Sequence, residues 1–353
     1  MTTIKQRMGA SLMNKIKVLF IIKKRLSYGS YGISFGLINS AKFVAKTLEQ
    51  VPGIEAKVVE VQDNNAIDKE VSQYKPTHVI IEALWVVPEK IEVLLKLHPK
   101  VTWFIRLHSK PEFIANEGIA FQWIGKYLDI KSDKLFISTN NKEFCDSLGK
   151  IYKNVVPFSP NIYPDVFRGV NNQKQNDREL NIGCFGALRP LKNHVSQALA
   201  AIAVAQNFNK KLKFHINNDR IEQRGDEVLK NLRAIFEAIP NAELVEHPWR
   251  EHKDFIELVS QMDLGMQVSL TETFNIVAAD FISVGIPVLV CKDIEFAPNV
   301  YIADPTSLPS IEKGITRLMA LDNPLLTYWA KLSLVKFNEH ATKQWIKILK
   351  ETL

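Results

Sequence analysis

Short apolar runs recur along this chain, and amphipathic stretches of helical period fill the intervals between them. The run at 15–22 (KIKVLFII), apolar on both faces from Val18 onward, has the pattern of a strand buried inside a parallel sheet. Further strands are predicted at 54–61, 78–82, 101–107 and 134–138, with helices up to residue 50 and over 89–97, 112–127 and 142–152. Strands separated by single helices make βαβ units. The alternation breaks over 157–180, where Pro157, Pro160 and Pro164 precede a polar stretch at 171–178. It restarts with strands at 181–186, 212–216, 242–246, 263–268 and 287–291. Helices are expected over 193–207, 223–238, 252–261 and 274–284, the last stopped by Gly285. The expected fold class is therefore α/β, with two Rossmann-like domains in series. The pattern divides the chain into a flexible tail (1–13), a first domain (14–170), a second domain (171–336) and a C-terminal helix (337–353). In that last segment Trp345, Ile346, Ile348 and Leu349 mark an apolar face.

Composition narrows the class. The 353 residues are 46% hydrophobic and 24% charged, which excludes collagen-like and largely disordered chains. No apolar run approaches the ~18–20 residues of a membrane helix, and the stretch at 8–13 is too short for a signal-peptide core. Cys145, Cys184 and Cys291 are far apart, as expected of reduced thiols in a cytoplasmic protein. Charge is uneven. Residues 1–180 hold 26 Lys and Arg against 18 Asp and Glu, whereas the remainder holds 19 against 20. The first half is either a solvated, lysine-rich surface or a face turned toward a polyanion, nucleic acid or an anionic membrane.

Three segments carry candidate chemistry. The loop after the first strand, 28–36, holds Gly29, Gly32 and Gly36, which permit close backbone approach to a phosphate or sugar. Its spacing is neither a dinucleotide fingerprint nor a P-loop. The segment 182–194 (IGCFGALRPLKNH) runs from a strand through Gly186 to Arg189 and Lys192 at the entry of a helix. Two cations there would neutralise a diphosphate, or they belong to a basic surface loop. In 269–280 (SLTETFNIVAAD), Glu272 stands at a helix start and Asp280 inside an otherwise apolar helix. A carboxylate in such surroundings needs donors.

Together these segments resemble the GT-B glycosyltransferases, in particular glycosyltransferase family 4. Gly186 and Lys192 fall on the family's pattern, while Ala187 replaces its arginine and Arg189 stands two residues on. Glu272-x7-Asp280 matches the family's E-x7-E element, Ser269 its Pro-Ser position, and Asn275 stands where a glycine is usual. The stretch 285–288 (GIPV) matches the G-x-P-V strand entry. The resemblance implies a GT-B fold whose C-terminal helix packs back on the first domain. It also implies a retaining, metal-independent transfer from a UDP- or GDP-sugar. In that reading Glu272 touches the donor sugar, Asp280 the ribose, the backbone at Thr273, Phe274 and Asn275 the diphosphate, and Lys192 and Arg189 neutralise it beside Gly186. Trp249 either stacks on the base or belongs to an interdomain core. No D-x-D sequence occurs, which argues against metal-dependent donor binding and for no cofactor.

On the acceptor side the resemblance points to His108, which ends a strand together with Arg106. Glu82 and Lys110 are further candidates beside Gly29 and Gly32. Each of Glu82 and His108 is otherwise an ordinary strand-end polar group. The phrases THVIIEALWVVP and GALRPLKN are similar to phage-encoded glycosyltransferases, some of which modify DNA bases. A DNA acceptor, gripped by Lys23, Lys24, Arg25 and Lys110, is thus placed ahead of a lipid of an anionic membrane or a surface glycan, with no protein partner implied. The rival readings are a non-catalytic nucleotide-sugar-binding module and a nicotinamide-dependent dehydrogenase.

Overall fold

In the computed structural model, which describes residues 15–24, 35–169, 177–321 and 324–353, the first apolar run forms strand β1 (Ile16–Lys23). Its residues alternate in burial partner. Val18, Phe20 and Ile22 enter one apolar cluster and Leu19 and Ile21 another, so the strand is covered on both faces. After it come α1 (Phe35–Leu48), β2 (Ile54–Val61), α2 (Ala66–Tyr74), β3 (His78–Glu82) and α3 (Pro88–Leu97). β4 (Thr102–Leu107), α4 (Pro111–Ile114), α5 (Ala120–Asp129), β5 (Leu135–Thr139) and α6 (Lys142–Tyr152) complete the first half. All pairings are parallel and the strand order is β2-β1-β3-β4-β5.

The second half repeats the plan with β6 (Glu179–Gly183), α7 (His194–Asn207), β7 (Lys211–Asn217), α8 (Gly225–Ala238), β8 (Ala242–His247) and α9 (His252–Val259). β9 (Leu264–Gln267), α10 (Ile276–Val284), β10 (Val288–Val290) and α11 (Leu308–Ala320) follow, and the order of this parallel sheet is β10-β9-β6-β7-β8. α10 lies unusually close to β9. A Cβ at Gly265 would stand 2.6 Å from the Phe281 ring. α12 (Pro324–Glu351) buries Ala330 and Leu334 in the second half's core. Its later turns bury Ala341, Trp345, Ile348 and Leu349 against β1 and α1. One helix therefore spans both cores.

Several local expectations change. The helix expected over 112–127 is two, because the chain turns at 116–118, where Glu117 N–H donates to the Ile114 carbonyl at 2.7 Å. α2 and α11 were not expected. Both are amphipathic; α2 is short, and α11 carries Gly314 at the point where a Cβ would meet Leu289 at 2.5 Å. Among the described residues no helix is long and apolar enough to cross a membrane.

Candidate functional site

In parallel sheets a ligand is expected beyond the carboxyl ends of the strands, where neighbouring strands send their connections apart. In the second sheet that point lies between the adjacent strands β6 and β9. The loop after β6 carries Lys192 and the loop after β9 carries Glu272. Eighty positions apart in sequence, they meet with Lys192 Nζ 2.5 Å from Glu272 Oε1. Both line a cavity of about 740 Å³ that is also bounded by the strand ends of the first sheet, including Lys23, Glu82, His108 and Asn140.

The start of α10 forms part of the cavity wall. Asn275 caps it, its Oδ1 accepting from Ala278 N–H at 2.9 Å. Asn275 Nδ2 donates to Glu272 Oε1 at 3.0 Å and to Gln267 Oε1 at 2.8 Å. One side chain thus starts the helix and orients the carboxylate. Phe274, Asn275, Ile276 and Val277 line the cavity, and amides of a first helical turn have no partner within their own helix. Together with the helix dipole they form a natural anion site. Opposite, Gly186 adopts φ +115°, a conformation that favours glycine, and its N–H donates to Asn217 Oδ1 at 3.0 Å.

Arg189 also lines the cavity, but its guanidinium is engaged. Nη1 donates to Glu222 Oε2 at 3.0 Å, and the group lies 4.7 Å from the centroid of Phe113 in the first half. Trp249 lies half-buried in the wall, with the Arg220 guanidinium 5.4 Å from its ring, so it is not a core residue. It borders a smaller recess of about 90 Å³ that Asp280, His252 and Phe255 also line. The Asp280 carboxylate, 1% exposed, has the donors its surroundings demand. Tyr163 Oη–H donates to Oδ1 at 2.7 Å, and His252 Nε2 lies 2.8 Å from the same oxygen. Burial, reinforced by Asp280, keeps the Tyr163 phenol well above its ordinary pKa and therefore protonated.

On the other side of the cavity, His108 Nε2 contacts Glu82 Oε2, and Glu82 in turn accepts from Arg106 Nη1 at 3.0 Å. Burial pushes the Glu82 carboxyl up, but Arg106 and His108 outweigh it and hold the group below the usual carboxylate range. Burial lowers His108 against the opposing pull of Glu82. The ring is accordingly neutral near pH 7, with Nε2–H donating to Glu82 and Nδ1 left as an acceptor.

Two acceptor-side expectations need correction. Arg106 does not reach the cavity. It is fully buried, and beyond Glu82 it donates to the carbonyls of Ser159 and Pro160, each at 3.0 Å, and to Asn161 Oδ1 at 2.5 Å. Lys110 is not a free cation, because its Nζ lies 3.0 Å from Asp293 Oδ2 with both side chains largely enclosed. Burial opposes the Lys110 charge, yet Asp293, Glu112 and Glu143 overcome it and raise the pKa. Gly29, Gly32 and Arg25 lie outside the described residues, while Gly36 lines the cavity. Asn140, Tyr163, Asp293 and His252 were absent from the sequence reading. None belongs to a local motif, and each matters through a partner remote in sequence.

No protein-family model matches the chain, and neither does any curated protein sequence. Solved structures do match, over nearly the whole chain. A UDP-forming α,α-trehalose-phosphate synthase from Burkholderia xenovorans is 11% identical with a TM-score of 0.63, covering 95% of this chain and 99% of that one. A glycosyltransferase from Rickettsia africae is 12% identical with a TM-score of 0.63, covering 96% and 99%. The N-terminal domain of a trehalose-6-phosphate phosphatase from Candida albicans is 11% identical with a TM-score of 0.67, covering 95% and 97%.

The fold is GT-B.

In GT-B terms the cavity lies between the two Rossmann-like halves. Thr271 Oγ1 lies 3.2 Å from Glu112 Oε2 and Lys110 pairs with Asp293, so the halves touch at its rim.

Proposed function

We propose that this chain is a glycosyltransferase that moves a sugar from a nucleoside-diphosphate sugar to a hydroxyl acceptor, with retention and without a metal. The observation that carries the reading is the Lys192–Glu272 pair beside the open first turn of α10, inside a cavity bounded by both halves. A departing diphosphate needs positive charge, supplied by Lys192, and aligned N–H donors, supplied by the helix start. Glu272 then faces the hydroxyls of the sugar, and Asp280, beside the recess under Trp249, faces the ribose. This arrangement agrees with the likeness to synthases described as UDP-forming. Metal independence rests on Lys192 as the diphosphate's counter-charge and on the absence of a D-x-D sequence.

His108, neutral and carrying a free Nδ1 lone pair, is the group suited to accept a hydrogen bond from a sugar hydroxyl. For the acceptor itself we propose an anion-bearing hydroxyl compound that meets Lys23 at the cavity wall. A sugar phosphate and a hydroxymethylated base in DNA are two forms of that chemistry. Lys110 is withdrawn from the DNA version by Asp293.

Purified protein is expected to release UDP or GDP slowly from a UDP- or GDP-sugar, and faster once the right acceptor is present. If no nucleoside-diphosphate sugar in a broad panel is consumed or bound, the reading fails. Duplex DNA binding that weakens with salt at a log–log slope of about −0.9 per phosphate contact would select the DNA acceptor. Turnover that is stimulated by sugar phosphates, without DNA binding, would select the small one.

A further inference from the structure

Thr273 follows Glu272 directly, yet its side chain turns to the other half of the molecule. Its hydroxyl donates to the backbone carbonyl of His108 at 3.0 Å and accepts from Asn140 Nδ2 at 3.1 Å. The same Nδ2 lies 3.4 Å from Asn161 Oδ1, which also accepts from Arg106. Arg106 holds Glu82, and Glu82 holds the His108 imidazole. These contacts close a ring: His108, Glu82, Arg106, Asn161, Asn140, Thr273 and back to His108. Five members belong to the first half or to the segment leaving it. Only Thr273 comes from the second.

The orientation of Asn140 is dictated by its neighbours. Thr273 commits its proton to the His108 carbonyl, so it presents a lone pair to Asn140. Asn161 Oδ1, facing Arg106, also presents a lone pair. Reversing the amide would set oxygen against oxygen on both sides. The consequence is visible: Asn140 Oδ1 is buried without a partner. Such a group is unfavourable as long as it is kept from water.

We infer that Thr273 is a positioning residue that sets His108 against the donor-binding loop when the two halves are closed. Glu272 and Thr273 are consecutive, so the residue paired with Lys192 and the residue that fixes His108 are one peptide apart. Seating of the donor loop and presentation of the imidazole become one event. The inference rests on the donor-transfer reading above.

Thr273→Val keeps the shape and removes both hydrogen bonds, and Thr273→Ser retains the hydroxyl. In steady-state donor turnover, Thr273→Val is expected to lower kcat about 10-fold, the rate equivalent of one neutral hydrogen bond, because of the two bonds lost only that to the His108 carbonyl bears directly on the imidazole. KM for the donor should stay within about twofold, since no donor contact is removed. Thr273→Ser should restore kcat. Without any substrate, amide hydrogen exchange in Thr273→Val should quicken together in peptides covering 107–110 and 270–274. Wild-type kcat in Thr273→Val, failure of Thr273→Ser to rescue it, or unchanged exchange in both peptides would overturn the inference. If the wild type consumes no nucleotide sugar, it is the donor reading that fails, and the exchange experiment still decides whether the ring operates.

Discussion

Arg106→Met tests the polar network behind the cavity most directly. Arginine and glutamate at 106 and 82 are both 0% exposed, and the guanidinium donates to Glu82 at 3.0 and 3.2 Å. It also satisfies the carbonyls of Ser159 and Pro160 and the Asn161 amide oxygen. Methionine replaces the stem of the side chain but none of these bonds, leaving a buried carboxylate facing only His108. Breaking a buried pair from one side costs about 3–5 kcal/mol; the Ser159 carbonyl also loses its donor, whereas the Pro160 carbonyl keeps the Trp345 Nε1–H at 2.8 Å. At roughly 2–4 °C per kcal/mol for a domain of this size, Tm should fall by roughly 6–20 °C. The measurement is thermal unfolding followed by circular dichroism. The pH dependence has a definite sign. The folded wild type holds the Glu82 carboxyl below its ordinary 4.5, so the pair's contribution is complete above that pH. It is lost as pH falls through the folded value. Without Arg106, burial dominates and Glu82 takes up a proton at higher pH. The deficit of the variant should therefore shrink as pH is lowered from 7 toward 4.5. Adding Glu82→Gln to Arg106→Met should recover part of the loss at pH 7, because no charge is then buried. A loss below about 1 kcal/mol at pH 7 would refute this account of the network.

Other expectations concern the cavity and the thiols. Lys192→Ala should reduce donor turnover by about 100-fold or more while the protein stays folded, as read by nucleotide release and circular dichroism. Glu272→Gln should impair turnover more than stability, whereas Asp280→Ala should chiefly weaken nucleoside-diphosphate binding measured by calorimetry. Full activity and wild-type binding in both would remove the carboxylate pair from the site. Neutral His108 is the competent form, so activity should decline only as pH drops below the ordinary imidazole value of 6.5. Glu82→Gln removes the charge that supports the imidazolium and should move this acid limb to still lower pH in a pH–rate profile. Burial pushes the thiols of Cys184 and Cys291 up to about 12 and that of Cys145 up to about 11. All three should resist a thiolate-directed reagent at pH 8 in native protein and react once it is unfolded; rapid reaction of the native protein would contradict their burial.

The parallel sheets were legible in the chain itself, because a strand covered on both faces must be apolar along its covered length, as 18–22 is. Gly186 and Asp280 could be singled out locally, and Lys192 and Glu272 by their places at helix entries and by the family resemblance. A glycine at a strand end, or a carboxylate inside an apolar helix, is costly without a purpose. The amphipathic helices α2 and α11 escaped, since their apolar positions acquire meaning only against the core that they cover. The partners of the site residues escaped for a stronger reason. Lys192 meets Glu272 because β6 and β9 are neighbours in a sheet whose order is not the order of the chain. Asp280 is served by Tyr163, which lies in the segment leaving the first half, and His108 is held by Thr273 from the second. Residue types and local spacing set which groups were available, and the crossing of parallel strands alone decided which of them touch.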